Sequence, residues 1–189
     1  HSSHYAELVE QAQCFFDARR VILFGSGVTD CGAVTAVRYR TFPVAFVAGY
    51  AAMKASKTKK LGIIVGATLP PYQELAEGFR AGANYAGVHL NYPAASCDLH
   101  FIPPGLHGTT DPSEATKWAD LYWEKGVDVI FALAGASNFA IIESAKAAEE
   151  RYVVGSDSDQ ARLGAGVVLA SVIRRNDLTI ARLVAAMWG

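Results

Sequence analysis

The chain has 189 residues, of which 51% are apolar and 19% are charged, with a formal net charge of −1. This is an ordinary globular composition, sufficient for one large or two small domains. The near-zero charge excludes the strongly basic surface typical of nucleic-acid-binding proteins. No uninterrupted apolar stretch reaches the roughly 18 residues of a membrane-spanning helix. Three widely spaced cysteines, Cys14, Cys31 and Cys97, match neither a zinc motif nor a disulfide framework, although a single disulfide stays possible.

Strand-like and helix-like segments alternate along the chain. The predicted elements are a helix over 3–18, strands over 21–24 and 33–39, a helix over 44–56, a strand over 61–66, a helix over 71–85, a strand over 99–102, a helix ending at 125, a strand over 127–131, a helix from 137 or 138 to about 150, strands over 152–154 and 167–169, and a helix over 170–186. This alternation is typical of βαβ units built around a parallel sheet.

Small and polar residues follow three of the predicted strands, at 66–68, 134–138 and 155–157. Right-handed crossovers bring the carboxyl ends of parallel strands to one edge of the sheet, where open α/β proteins bind ligands. A carboxylate there, such as Asp157, can accept hydrogen bonds from two neighbouring hydroxyls of a sugar. A strand followed by an ordinary polar turn would give the same pattern.

The sequence contains no recognisable catalytic motif. The triplet Gly25-Ser26-Gly27 does not complete the nucleophile elbow of the α/β hydrolases. No phosphate-binding loop or dinucleotide fingerprint occurs, and the histidines lack metal-ligand spacing. The sequence therefore predicts a protein that is not an enzyme and that uses no cofactor.

Seven segments, in this order, resemble the basic-membrane-protein family of substrate-binding proteins. They are FVAGYAA (46–52), KLGIIVG (60–66), EGFRAGA (77–83), GVDVIF (126–131), AG (134–135), GSDSDQ (155–160) and SVIRRND (171–177). The family includes the purine-nucleoside receptors of ABC transporters and the Med-like lipoproteins. The resemblance implies a type I periplasmic-binding-protein-like α/β fold, in which two parallel-sheet, Rossmann-like domains enclose a ligand cleft.

The resemblance also implies a domain organisation. It predicts a partial N-terminal α/β domain over 1–58, a C-terminal α/β domain over 59–169, and a helix over 170–189 that leads back towards the first domain. Members of the family begin with a further strand and a ligand-binding loop, and they continue past this last helix. We therefore expect the first domain to be incomplete in this chain.

By resemblance, the family's ribose-binding aspartate corresponds to Asp157, and its charge partner, usually a lysine, corresponds to Arg174. Arginine keeps the charge but presents a larger planar group. A backbone contact with the ligand is expected at Gly135, where the missing side chain permits close approach. Thr68 is expected on the lip of the cleft.

The family's base-stacking aromatic falls near Leu106 and His107, where no phenylalanine is present. His107 is the only ring of this pair that can stack on a base. From the first domain, Ser2 is a further candidate contact.

The resemblance therefore implies an extracytoplasmic solute-binding protein of an ABC transporter, which binds a nucleoside or a similar small polar ligand. The implied partners are this ligand and a membrane permease, and the implied state is a monomer, either periplasmic or anchored as a lipoprotein by segments outside this chain. The alternative is a Med-like regulatory or signalling sensor of the same fold. A small-molecule enzyme, such as a sugar or nucleotide hydrolase, is a more distant alternative.

Overall fold

The computed structural model describes residues 21–24, 34–103 and 108–188. The chain divides into two compact units, His1–Arg40 and Thr41–Gly189. In the first unit, strands β1 (Val21–Phe24) and β2 (Val34–Val37) pair in parallel, as predicted. The predicted helix over 3–18 lies outside the described residues. The domain boundaries expected at 58/59 and 169/170 stay a prediction.

The second unit alternates strands and helices in the predicted order. Its elements are α1 (Thr41–Ala55), β3 (Lys60–Val65), α2 (Pro70–His89), β4 (Ser96–Phe101), α3 (Pro112–Glu124), β5 (Val129–Leu133), a 3₁₀ turn (Gly135–Ser137), α4 (Asn138–Lys146), β6 (Tyr152–Asp157), β7 (Val168–Ile173) and α5 (Asn176–Trp188). The start of α3 is fixed by Asp111, whose side chain accepts a hydrogen bond from the Ser113 N–H at 2.9 Å, as expected for a helix N-cap.

The five strands of this unit form one parallel sheet with the order β4-β3-β5-β6-β7. From β3 the chain passes to β4 on one side and then returns to β5 on the other. The direction of winding therefore reverses between β3 and β5. In open α/β sheets, the carboxyl end of such a reversal is where a crevice forms and ligands bind.

Helices cover both faces of the sheet, which explains why its central strands are apolar without interruption. Helices α1 and α2 pack on one face, where the Phe79 ring of α2 stacks on the Phe131 ring of β5 with centroids 4.5 Å apart. Helices α3 and α4 pack on the other face around Ile130 and Ile141, both fully buried.

Close contact between α1 and α2 depends on two glycines. A Cβ atom at Gly49 would overlap the carbonyl oxygen of Phe79, and one at Gly82 would overlap the carbonyl oxygen of Phe46. The backbones of the two helices therefore touch directly. This packing fixes the start of α2, which lies at the carboxyl edge of the sheet.

At the opposite edge of the sheet, buried Asp128 anchors the connection between α1 and β3. Its carboxylate accepts hydrogen bonds from the Ser56 hydroxyl and from the Lys57 N–H, both at 2.6 Å, and from the Thr58 N–H at 3.1 Å. Asp128 is therefore a structural residue, remote from the carboxyl ends of the strands.

The predicted boundary between the last strand and the last helix is wrong. The sequence predicts a strand over 167–169 and a helix from 170, whereas β7 extends to Ile173 and α5 begins at Asn176. Residues 170–173 pair with 154–157 of β6, and this pairing stabilises an extended conformation over a segment with an ambiguous local pattern. The expected strand over 152–154 is lengthened to Asp157 by the same pairing.

Candidate ligand-binding site

The predicted meeting of strand ends is confirmed at the point where β3 and β5 lie side by side. A Cβ atom at Gly66, just after β3, would lie 2.6 Å from the carbonyl oxygen of Gly108 and 2.9 Å from the Cα of Ala134. Three backbone segments thus converge at the reversal of the sheet, and only glycine fits at position 66. The result is a closely packed, buried junction of backbone at the carboxyl edge of the sheet.

Asp157 ends β6, and Arg174 follows directly after β7. The Arg174 guanidinium donates a hydrogen bond to the Asp157 carboxylate through Nη2, and the Arg174 N–H donates to the Asp157 carbonyl oxygen at 3.2 Å. Asp157 adopts a φ of +69°, a left-handed conformation that aspartate tolerates better than most residues. The two residues that the resemblance pairs are thus brought together as one ion pair.

The ion pair is accessible from solvent and incompletely satisfied. About a third of each side chain is exposed, with 30% for Arg174 and 31% for Asp157. The Nε atom of Arg174 is buried and has no hydrogen-bond partner among the described residues. The pair therefore presents a carboxylate acceptor and a guanidinium donor side by side at the edge of the sheet.

Tyr72 lies in the first turn of α2 and was not predicted as a site residue. Its ring is half-buried, and its phenol pKa is raised first by this burial and then by the negative charge of Asp157, with Arg174 acting in the opposite direction. The ring is therefore within electrostatic reach of the ion pair. An aromatic residue in the first helical turn after a strand of the predicted edge is the sequence signal that identifies it.

Gly135 adopts a φ of +56° in the 3₁₀ turn after β5, a left-handed conformation that favours glycine, and its predicted contact with a ligand stays a prediction. The N–H of the next residue, Ala136, donates to the carbonyl oxygen of Thr109 at 3.0 Å. A Cβ at position 135 would lie 3.2 Å from that same oxygen. Thr109 is therefore, after Tyr72, a second residue at the carboxyl edge of the sheet that the sequence did not single out.

The predicted Thr68 is exposed on the loop between β3 and α2.

A buried hydrogen-bond network lies beneath the surface at the carboxyl edge of the sheet. The Asn138 side chain accepts from the Ala134 N–H at 2.7 Å and donates to Ser156 Oγ at 3.1 Å and to Gln160 Oε1 at 3.4 Å. Ser156 in turn donates to the carbonyl oxygen of Ala132 at 2.7 Å. The network joins the carboxyl ends of β5 and β6 to the loop after β6, and so holds the approach to Asp157 in place.

Three predicted contacts, Ser2, Leu106 and His107, lie outside the described residues and stay predictions.

Within the described ranges, no cluster of His, Cys, Asp and Glu has the arrangement of a metal site. Cys97 has a free thiol, and burial raises its pKa to about 12, so it remains protonated at neutral pH. None of the helices described is long and apolar enough to cross a membrane.

Solved structures of solute-binding proteins share this fold. A solute-binding protein of an ABC transporter system from Aeropyrum pernix K1 superimposes with a TM-score of 0.83 at 18% identity, over 96% of this chain and 51% of its own. A transcriptional activator of the comK gene from Bacillus halodurans gives 0.80 at 20% identity, over 97% of this chain and 60% of its own. The fold is thus that of the type I periplasmic-binding-protein-like α/β proteins.

The sequence defines the family more closely. Residues 22–187 match the family described as ABC transporter substrate-binding protein PnrA-like, and the chain belongs to this family. Basic membrane protein D of Borreliella burgdorferi (strain JD1) is 34% identical over 142 residues, covering 75% of this chain and 39% of that protein. Basic membrane protein B of Borreliella burgdorferi (strain ATCC 35210 / DSM 4680 / CIP 102532 / B31) is 31% identical, covering 80% and 42%.

The predicted resemblance is therefore confirmed, and the family is one of substrate-binding proteins rather than of enzymes. The chain spans about two fifths of the length of these curated relatives, with 39% of the first and 42% of the second.

Proposed function

We propose that this chain forms the ligand-binding part of an ABC-transporter solute-binding protein, and that it holds a nucleoside or a similar hydroxyl-bearing ring at the carboxyl edge of its five-stranded sheet. The observation that carries the proposal is the accessible Asp157–Arg174 pair at this edge. Family membership supports the transporter role.

The chemistry of the pair suits vicinal hydroxyls. Each hydroxyl can donate a hydrogen bond to Asp157 and accept one from Arg174, which has donors left beyond the one on the carboxylate. Since the two opposite charges largely cancel, a neutral ring is favoured over a phosphate, which would also face the Asp157 carboxylate. Gly135, which is partly exposed in the turn after β5, offers its backbone to such a ring at the same edge of the sheet.

We further propose that the full-length protein acts outside the cytoplasm as a monomer, either periplasmic or anchored as a lipoprotein, and that it delivers its ligand to a membrane permease. The family description, which names ABC transporter substrate binding, supports this placement.

Isothermal titration of the full-length protein tests the proposal directly. A panel of purine and pyrimidine nucleosides, with free ribose and free nucleobases as controls, is expected to show saturable binding of at least one nucleoside. Its free base should bind more weakly, because the base alone cannot contact Asp157. Failure of the folded protein to bind any nucleoside or sugar would contradict the proposal.

A regulatory ligand sensor is the second candidate, because the comK activator of Bacillus halodurans shares the fold at a TM-score of 0.80. The sequence encoded upstream distinguishes the two roles. A lipoprotein signal with its cysteine supports transport or surface sensing, whereas a DNA-binding helix-turn-helix supports transcriptional control.

A further inference from the structure

We infer that Tyr72 is a third ligand contact beside Asp157 and Arg174, and that its phenol selects ligands with a hydroxyl at the position it reaches. This inference rests on the proposed function, since it assigns a new residue to the same site.

The start of helix α2 places Tyr72 at the carboxyl edge of the sheet. Helix α2 begins with Pro70 and Pro71 directly after the loop from β3, and the Tyr72 N–H donates to the carbonyl oxygen of Leu69 at 3.0 Å. Two consecutive prolines fix the backbone φ angles of this turn. Tyr72 is therefore held at the carboxyl end of β3, one of the two strands that flank the reversal of the sheet.

The Tyr72 ring lies on the face of the sheet that α1 and α2 cover. It packs against the apolar cluster of that face, which extends across the sheet to Val154 of β6 and Val172 of β7. Val154 precedes Asp157 by three residues, and Val172 precedes Arg174 by two. The ring and the ion pair therefore lie at the carboxyl edge of one sheet, and both charges act on the Tyr72 phenol.

The phenol is suited to donate a hydrogen bond to a ligand. The side chain is half-buried, and its phenol is within electrostatic reach of Asp157 and Arg174. The raised pKa keeps it protonated at neutral pH. A protonated phenol at this edge can donate one hydrogen bond to a ligand hydroxyl held between Asp157 and Arg174.

The test compares Tyr72→Phe with the wild-type full-length protein by isothermal titration. The probes are adenosine, guanosine and uridine, together with deoxy analogues that each lack one ribose hydroxyl. Loss of one neutral hydrogen bond should weaken binding of the preferred nucleoside by about five- to tenfold. The deficit should disappear for the analogue that lacks the contacted hydroxyl.

Tyr85→Phe is the matched control, because Tyr85 lies on the same helix but packs against Phe46 and Tyr50 of α1. It should bind every probe like the wild type, and thermal unfolding should show that both variants fold. Unchanged binding by Tyr72→Phe, or an equal loss for every analogue, would overturn the inference while leaving the proposed function intact. Failure of the wild type to bind any probe would instead overturn the proposed function.

Discussion

At the scale of single residues, the candidate site consists of a few accessible side chains, and a larger set of buried residues holds them in position. Asp157 keeps a left-handed backbone conformation at the end of β6, and its carboxylate faces Arg174. The network centred on Asn138 prevents the strand ends around it from moving independently. The proposed ligand contacts and the supporting contacts thus involve different residues, and we expect the two kinds to respond differently to substitution.

Asn138→Ala is expected to lower the free energy of unfolding by about 1–3 kcal/mol, because it leaves the buried Ala134 N–H and the Ser156 hydroxyl each without one partner. Chemical denaturation measures the effect. Glu143→Ala, an exposed change on the same helix that breaks only a surface pair with Lys146, should cost less than about 1 kcal/mol. Equal stability of the two variants would show that the network does not stabilise the fold.

Single residues also show what the sequence could and could not predict. Asp157 and Gly135 lie within the small and polar segments that follow predicted strands, so their place at the carboxyl edge of the sheet could be inferred from local pattern. Tyr72 and Thr109 were not singled out. For Tyr72 the local signal, an aromatic residue in the first turn of α2, does not reveal the charges of Asp157 and Arg174, which follow it by about 80 to 100 residues.

At the scale of elements, the pairing of β6 with β7 creates the site. It aligns Asp157 with Ile173, so that Arg174 emerges beside the carboxylate. Local propensity predicted a helix from 170 and would have placed Arg174 on a helix surface. Strand pairing prevailed because it is a tertiary interaction that local sequence does not report. The sequence predicted the elements themselves well, since each has a clear apolar period or run.

Contact between α1 and α2 gives a prediction at the same scale. Gly82→Ala should destabilise the protein by roughly 1–3 kcal/mol, because the added methyl group overlaps the Phe46 carbonyl oxygen and forces the helices apart. This cost should exceed the gain in helix propensity of about 1 kcal/mol. Urea denaturation of Gly82→Ala measures the change.

The matched control is Asn84→Ala, at an exposed position of the same helix. It adds no atom to the helix contact and should leave stability unchanged or slightly raised. If Gly82→Ala were as stable as this control, the two helices would not be packed backbone to backbone as described.

At the scale of the whole molecule, a doubly covered parallel sheet with a reversal between β3 and β5 presents its carboxyl ends as a ligand edge. Alternating strands and helices were sufficient to predict this class of fold. The order β4-β3-β5-β6-β7 was not predicted, because strand order is decided by packing over the whole unit. Family membership, the fold and the accessible ion pair all agree with the binding of a small hydroxyl-bearing ligand.

The measurement that tests this account most directly is isothermal titration of Asp157→Ala, in the full-length protein, with the nucleoside that the wild type binds most tightly. We expect affinity to fall by roughly 1.5–3 kcal/mol, the effect of losing a charged hydrogen-bond acceptor. Thermal stability should fall modestly while the variant still folds, because alanine tolerates the φ of +69° less well than aspartate. Asp177→Ala, which removes an exposed carboxylate paired with Arg175 nearby, should bind like the wild type. Unchanged affinity in Asp157→Ala would contradict the account and leave Asp157 as a turn residue.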